Sequence, residues 1–127
     1  MIGQTTVLEK SVKCTAAIAA AYTIGKFGAD DDTMSLAAAA ADSLMGVFQH
    51  TTSNPGEEVH VMLQGVTRVK LGGAVTRGAP LTSDASGQAV AAAPAAASNA
   101  RIIGIALANG ASGDIIPMLL AQSVMQG

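Results

Sequence analysis

The sequence predicts a mainly β protein: a small β-barrel or β-sandwich built from two similar β-units. Three observations lead to this fold class. Apolar and polar side chains alternate with a period of two, turn-forming residues recur between the alternating segments, and three short segments occur twice in the same order. A period of two is typical of strands that bury one face. The 127 residues suit one domain, for which we expect an extended N-terminal arm and at most one or two short helices.

The clearest alternation runs over residues 59–71. Odd positions such as Val61 and Val69 fall on one face of a predicted strand, and polar even positions such as Arg68 fall on the other. At about 3.3 Å per residue the strand would be about 43 Å long, which is too long for a straight strand in so small a domain. We therefore expect a bend or bulge at Gly65, which has no side chain to resist it.

An internal repeat is the second signal. Each predicted unit contains, in order, a strand, a turn, a strand, an alanine tract, a strand, a turn and a strand. Chance similarity in a sequence rich in alanine and glycine is the alternative explanation. The matched segments are 21–27 with 74–80, 44–48 with 102–106, and 56–63 with 113–120.

The alanine tracts at 37–41 and 91–97 are ambiguous. Alanine is the best helix former, so a short helix is the simplest expectation for both tracts. Pro94 breaks a helix in the second tract. If the repeat is real, the first tract is an extended segment or a single helical turn.

Composition limits the function classes. Hydrophobic residues make up 50% of the chain but aromatic residues only 2%, so the predicted core is thin and its packing is expected to be completed by a partner. The net charge of −2 does not favour nucleic-acid binding, which requires clustered basic residues. The apolar segments are shorter than the roughly 18 residues that a membrane-spanning helix needs.

Few residues suggest chemistry. His50 and His60 lie near the glutamates at 57–58, but a zinc site needs three or four converging ligands, and surface histidines are the simpler interpretation. The aspartates at 30–32 lack the spacing of a calcium loop and are expected in a solvated turn. Cys14 has no base among its neighbours in sequence and is expected in the core. The sequence therefore predicts no enzyme, no metal site and no cofactor.

Two segments are candidates for binding. We expect residues 1–14 to be the arm and residues 15–127 to be a single β-rich domain. Such an arm could add a strand to the sheet edge of a partner. A basic cluster in the domain could contact an acidic protein surface, although a solvated face is the simpler interpretation. The candidate contact residues are Thr5, Thr6, Val7, Leu8, Glu9, Arg68, Lys70 and Arg77.

Residues 73–90 resemble a signature of a family of small head decoration proteins of tailed phages, also called capsid cement proteins. Residues 101–107, followed by Gly113 and Asp114, are similar to it as well, as are residues 21–27 and 44–48. The resemblance implies a homotrimer that docks on the outer surface of the virion, bridges subunits of the major capsid protein and performs no catalysis. It also implies synthesis in the host cytoplasm, and no binding to nucleic acid or membrane.

Two other classes of function stay open from the sequence. One is a soluble β-barrel module that binds a ligand or peptide, which would need a concave pocket with converging polar groups. The other is a different structural role in the virion, such as a tail-tube or head-completion protein.

Overall fold

The computed structural model describes residues 4–127, and in this part of the chain there are nine strands and no helix. The mainly β fold is therefore confirmed. The strands are β1 (Thr5–Cys14), β2 (Ile24–Phe27), β3 (Thr33–Leu36), β4 (Leu44–Phe48), β5 (Glu58–Lys70), β6 (Pro80–Ser83), β7 (Ala89–Ala91), β8 (Asn99–Ala106) and β9 (Ile115–Gln126).

The nine strands form one sheet that curls into two rings sharing β5. The first ring runs β1-β3-β2-β4-β5 and closes because β5 also pairs with β1. The second ring continues from β5 through β9, β8 and β6 to β7. It returns to the end of β5 through a bridge between Leu71 and Ala89. We call β1–β4 with the first half of β5 unit 1, and the second half of β5 with β6–β9 unit 2.

The two units have the same topology, so the predicted duplication is confirmed. In each unit the first two short strands form a hairpin, the first of them also pairs with the third, and the third pairs with the long final strand. Equivalent backbone hydrogen bonds recur. Ala37 donates to Ile24 as Ala92 donates to Pro80, and Gly56 donates to Cys14 as Gly113 donates to Leu71.

One of the three predicted segment matches is wrong. The backbone hydrogen bonds make Ile24 equivalent to Pro80, so segment 21–27 is displaced by three residues from its proposed match. The glycines that suggested the match serve different purposes. Gly25 makes room for the side chains of Met34 and Phe48. Gly78 instead has a positive φ of 91°, at the position where unit 1 has Tyr22 with a φ of 62°.

The long strand β5 bends where the sequence predicts. Gly65 has a φ of +118°, and the pairing with β1 shifts register opposite it. A Cβ at Gly65 would lie 2.2 Å from the carbonyl oxygen of Thr5. The bend lets β5 pair with β4 before Gly65 and with β9 after it.

A glutamine side chain closes the seam between the two units. The amide nitrogen of Gln122, on β9, donates to the carbonyl oxygens of Met45 and Leu63 at 2.8 and 2.7 Å. These carbonyls lie on β4 and β5, between the part of β5 that pairs with β4 and the part that pairs with β9. Gln122 of unit 2 therefore bonds directly to two strands of unit 1.

The core consists of two clusters. The smaller one fills the first ring and contains Val12, Ile18 and Phe48. The larger one fills the second ring and also takes in side chains from the outer side of unit 1, including Val47 and Met62. Unit 2 therefore packs its interior against unit 1, and the two units are expected to fold as one body.

Both alanine tracts are connections rather than helices. The first joins β3 to β4 and turns at Asp42, whose Oδ2 accepts the backbone N–H groups of Ala38 and Ala39 at 2.8 and 3.0 Å. The hydrogen bond from Ala38 is the main reason that the pKa of Asp42 is lower than usual, and Lys26, 3.5 Å away, lowers it further. The second tract joins β7 to β8.

The predicted arm lies on the chain's own sheet as far as the structure describes it. Thr5–Cys14 form β1, which pairs with β5 over most of its length. Val12 and Cys14 are buried in the core of the first ring. Residues 1–3 lie outside the described part, and the division into an arm and a domain at residue 14 stays a prediction.

Candidate functional site

The predicted arm contacts form an exposed strip on β1. Residues 5–9 are all exposed, and the exposed fractions of Val7 and Leu8 are 68% and 47%. One edge of this strip bonds to β5, whereas β3 pairs with β1 only at Lys13 and Cys14. Within residues 4–127 the second edge of the strip carries no strand. Its backbone groups are therefore able to pair with a strand from another molecule.

The basic cluster is partly brought to the same place. Arg68 and Lys70 lie on one face of β5, two residues apart, and Val66 precedes them on that face. Val66 pairs directly with Thr5, so the start of β1 and Arg68 share a face of the sheet. Arg77 lies instead in the connection between β5 and β6, where its backbone N–H donates to Asn109 Oδ1 at 2.7 Å. The structure thus joins seven of the eight predicted contact residues along β1 and β5.

The cations of this surface are free of carboxylates. Among the described residues the ion pairs are Lys10–Asp32, Lys26–Asp42 and His60–Glu9. Arg68, Lys70 and Arg77 are in none of them. Most acidic side chains lie in the first half of the chain, with seven of nine before residue 59, whereas four of the seven basic side chains follow it. The two units therefore differ in the sign of their charge, and the basic side chains of unit 2 are available to a partner.

An apolar row beside the basic residues was not found from the sequence. Leu119 on β9 pairs with Val66 on one side and with Ile105 on the other, and Ile105 pairs with Pro80. Leu119 and Ile105 are 40% and 37% exposed. In the sequence, Leu119 and Ile105 belong to ordinary alternating strands. The repeat is the signal that could have singled them out, because the equivalent side chains of unit 1 are buried.

A cleft opens at the end of the first ring. Its volume is about 400 Å³, and its apolar lining includes Val12, Met34, Met45 and Phe27. The loop between β2 and β3, with its three aspartates at 30–32, forms the rim. Phe27 is 57% exposed, so the cleft presents an aromatic side chain beside a negatively charged loop.

The two histidines form a hydrogen-bonded pair rather than a metal site. His50 Nε2 accepts the backbone N–H of His60 at 3.1 Å, so its Nδ1 carries the proton and donates to the carbonyl oxygen of Thr51. His60 Nδ1 lies 3.1 Å from Glu9 Oε1. Both nitrogens of His50 are thus engaged, and no group of three or more metal-ligating side chains occurs in the described residues.

Cys14 lies in the core, as expected. It is 1% exposed, and its Sγ contacts Thr52 Oγ1 at 3.2 Å and the carbonyl oxygen of Asn54 at 3.5 Å. These partners are hydrogen-bonding groups rather than bases that would activate a thiol. Over the same described range, no helix is long and apolar enough to cross a membrane.

Comparisons with known proteins give both a family and a fold. The family model described as phage cement protein matches residues 9–119. Among solved structures, the chain is similar to the N base of the head fiber protein gp8.5 of bacteriophage phi29, with a TM-score of 0.66 and 18% sequence identity. That similarity covers 94% of this chain and 98% of the other. No curated protein matches the sequence.

Proposed function

The chain belongs to the phage cement protein family, and we propose that it binds the outer surface of a phage capsid as a homo-oligomer, a homotrimer by resemblance, and stabilises the lattice of the major capsid protein. The family is one of structural proteins associated with the phage head. The observation that carries the finer proposal is the joined surface on β1 and β5. It combines an open strand edge, exposed apolar side chains at Val7 and Leu8, and the unpaired cations Arg68 and Lys70.

Each part of this surface contributes a different interaction. The open edge of β1 offers backbone N–H and C=O groups to an extended capsid segment, which would continue the sheet. The side chains of Val7 and Leu8 would lose contact with water in such a complex, which favours binding. Arg68 and Lys70 would attract carboxylates on the capsid and fix the orientation of docking. The localisation that follows is the outside of the virion.

Stabilisation of the capsid follows from multiple contacts. An oligomer that touches several capsid subunits at once must release all of these contacts before the subunits separate. Linked contacts raise the overall affinity well above that of one contact. Each copy therefore needs only a modest interface with the capsid.

The test is co-sedimentation of the purified protein with undecorated phage heads. We expect the intact chain to pellet with heads, and a chain lacking residues 1–9 to remain folded and stay in the supernatant. A sharper pair of variants is Val7→Asp against Val124→Asp, because both valines are exposed, at 68% and 57%, but only Val7 lies on the β1–β5 surface. Val7→Asp should abolish pelleting and Val124→Asp should not.

Two results would contradict the proposal. If the intact chain stays in the supernatant with heads in excess, the protein does not bind the capsid and a soluble binding module becomes the better reading. If the truncated chain and Val7→Asp both pellet like the intact chain, the protein binds heads by another surface.

A further inference from the structure

The internal duplication allows an apolar row of unit 1 to be compared with the equivalent row of unit 2, and the row of unit 1 is buried. In unit 1 the row consists of Ile24, Val47 and Met62, which pair directly with one another across β2, β4 and β5. All three side chains are 0% exposed. They point away from the first ring and belong to the large cluster that fills the second ring. Unit 2 therefore covers this row.

The equivalent row of unit 2 has no cover. It consists of Pro80, Ile105 and Leu119, which occupy the positions of Ile24, Val47 and Met62 in the repeated pairing. Ile105 and Leu119 are 37% and 40% exposed. The row is apolar like its buried counterpart, but within residues 4–127 no other unit packs on it.

The cleft at the end of the first ring, which we call the ring 1 cleft, occupies in unit 1 the position of the second-ring interior that covers the row of unit 1. In the second ring, Val69, Ala89 and Ile103 are part of the cluster that buries the row of unit 1. Their equivalents in the first ring are Val12, Met34 and Met45, which form the floor of the cleft. Val12 and Met34 are already buried in the first-ring core, so the apolar side chain that the cleft exposes most is Phe27. The hairpin loop at 84–88, which touches Ile24 through Gly87, corresponds to the acidic loop at the rim of the cleft.

Charge makes the row of unit 2 and the cleft of the first ring complementary. Arg68 and Lys70 lie on the same outer face as the row of unit 2, at its border with the β1–β5 surface, so these two cations flank both the proposed capsid contact and the row. Neither is paired with a carboxylate among the described residues. The cleft carries three aspartates at 30–32, and among the described residues the one ion pair they make is that of Asp32 with Lys10, which also lines the cleft, at 3.2 Å. A basic apolar face and an acidic apolar cleft on the same chain would attract one another between copies.

We propose that the row Pro80, Ile105 and Leu119 of one copy packs into the ring 1 cleft of a second copy. The inference rests on the self-association proposed above and names the surfaces that carry it. The contact joins two different surfaces, so it is heterologous, and it closes into a ring when the rotation between copies permits closure. Each copy then covers one neighbour and is covered by another.

The contact between copies is a packing of side chains rather than a continued sheet. Within the chain the two units share β5, which two separate molecules cannot do. The edge of β9 that a further unit would use is already paired, because Asn99–Ile102 pair with residues 123–126. Pro80 also lacks the N–H by which Ile24 bonds to Gly87. These features limit the assembly to an apolar contact with charged margins.

The experiment measures the mass of the full chain by sedimentation over a wide range of concentration. The intact chain should form a particle of more than one chain. Leu119→Asp removes the row and Phe27→Asp damages the cleft, and each variant alone should sediment as a single chain. Val124→Asp, which alters an exposed valine outside the row, the cleft and the β1–β5 surface, should keep the mass of the intact chain. Circular dichroism of each variant checks that it is folded.

Mixing the variants tests whether the contact is heterologous. Leu119→Asp keeps its cleft and Phe27→Asp keeps its row, so an equimolar mixture should form particles of two chains that grow no further. A contact between identical surfaces would leave the mixture at the mass of one chain, which would overturn the inference.

Three further results separate this inference from capsid binding. An intact chain that remains a single chain at every concentration would overturn the self-contact. So would a Leu119→Asp variant of unchanged mass. If that variant keeps its mass but no longer pellets with heads, the row contacts the capsid instead, and the proposed function stands without this inference.

Discussion

A buried hydroxyl group without a partner gives a direct test of the packing on β6. Thr82 is 3% exposed, and its Oγ1 finds no hydrogen-bond partner among residues 4–127. A buried polar group without a partner costs about 1–3 kcal/mol of stability. Thr82→Val replaces the hydroxyl with a methyl group of similar size and keeps the β-branched shape that a strand favours. We therefore expect the free energy of unfolding of the variant to be about 1–2 kcal/mol higher than that of the intact chain.

Thr67→Val is the matched control, because Thr67 is also buried but its hydroxyl is satisfied. Thr67 Oγ1 accepts from Gln49 Nε2 at 3.0 Å and donates to the carbonyl oxygen of Arg68 at 3.1 Å. Its replacement removes two hydrogen bonds, so the variant should lose about 1–2 kcal/mol. The two substitutions are chemically identical and should shift stability in opposite directions.

Urea unfolding followed by far-ultraviolet circular dichroism measures both variants, because the chain has no tryptophan to serve as a fluorescent probe. The slope of free energy against urea should stay the same, and the midpoint should rise for Thr82→Val and fall for Thr67→Val. A lower midpoint for Thr82→Val would refute the reasoning, since it would mean that its hydroxyl makes a stabilising contact.

Three further predictions concern the seam, a close backbone approach and one carboxylate. Gly104→Ala should lower the free energy of unfolding by about 1–3 kcal/mol and lower the thermal midpoint, because a Cβ there would clash with the backbone oxygen of Leu119. Gly73→Ala is the control and should leave the thermal midpoint nearly unchanged, because its Cβ would lie 3.7 Å from the nearest atom. Gln122→Leu should destabilise the chain by about 0.5–1.5 kcal/mol in urea unfolding, since it removes two hydrogen bonds at the seam whose acceptors water can still reach. The lowered pKa of Asp42 stabilises the fold above its unfolded value of 3.8, and this contribution is lost as pH falls through the folded value. Asp42→Asn should therefore be less stable than the intact chain near neutral pH, and the difference should shrink below about pH 4; a constant difference would contradict this.

The sequence predicts the strands and the duplication well because both depend on local patterns. The alternation over 59–71 reflects which side chains face inward, and the structure places β5 there with its bend at Gly65. The repeated order of strands and turns is likewise a local property. The displaced match at 21–27 shows why matching glycines by sequence can fail. A glycine can be required for close packing, as at Gly25, or for a positive φ, as at Gly78, and the residue type is the same in both cases.

The candidate site was predictable only in part, because it depends on which strands become neighbours. The sequence selects Thr5 and Arg68 separately, but their meeting across Val66 follows from the antiparallel register of β1 and β5, which is fixed by the whole ring. Arg77 is close to Lys70 in sequence, yet it lies in a loop, because β5 ends at Lys70. Proximity along the chain therefore overstates the basic cluster.

Exposure is the property that the sequence leaves most open, and the duplication shows why. Val47 and Ile105 are both branched aliphatic residues, each one position after a glycine on equivalent strands. One is 0% and the other 37% exposed. Their own strands cannot explain the difference, since the pairing around them is the same. It arises because unit 2 packs on this face of unit 1, whereas among the described residues no further unit packs on the same face of unit 2. A sheet face that is apolar in both units but covered in only one is a candidate contact surface, and the proposed packing of a second copy on it would make assembly part of the stability of a small protein with a thin core.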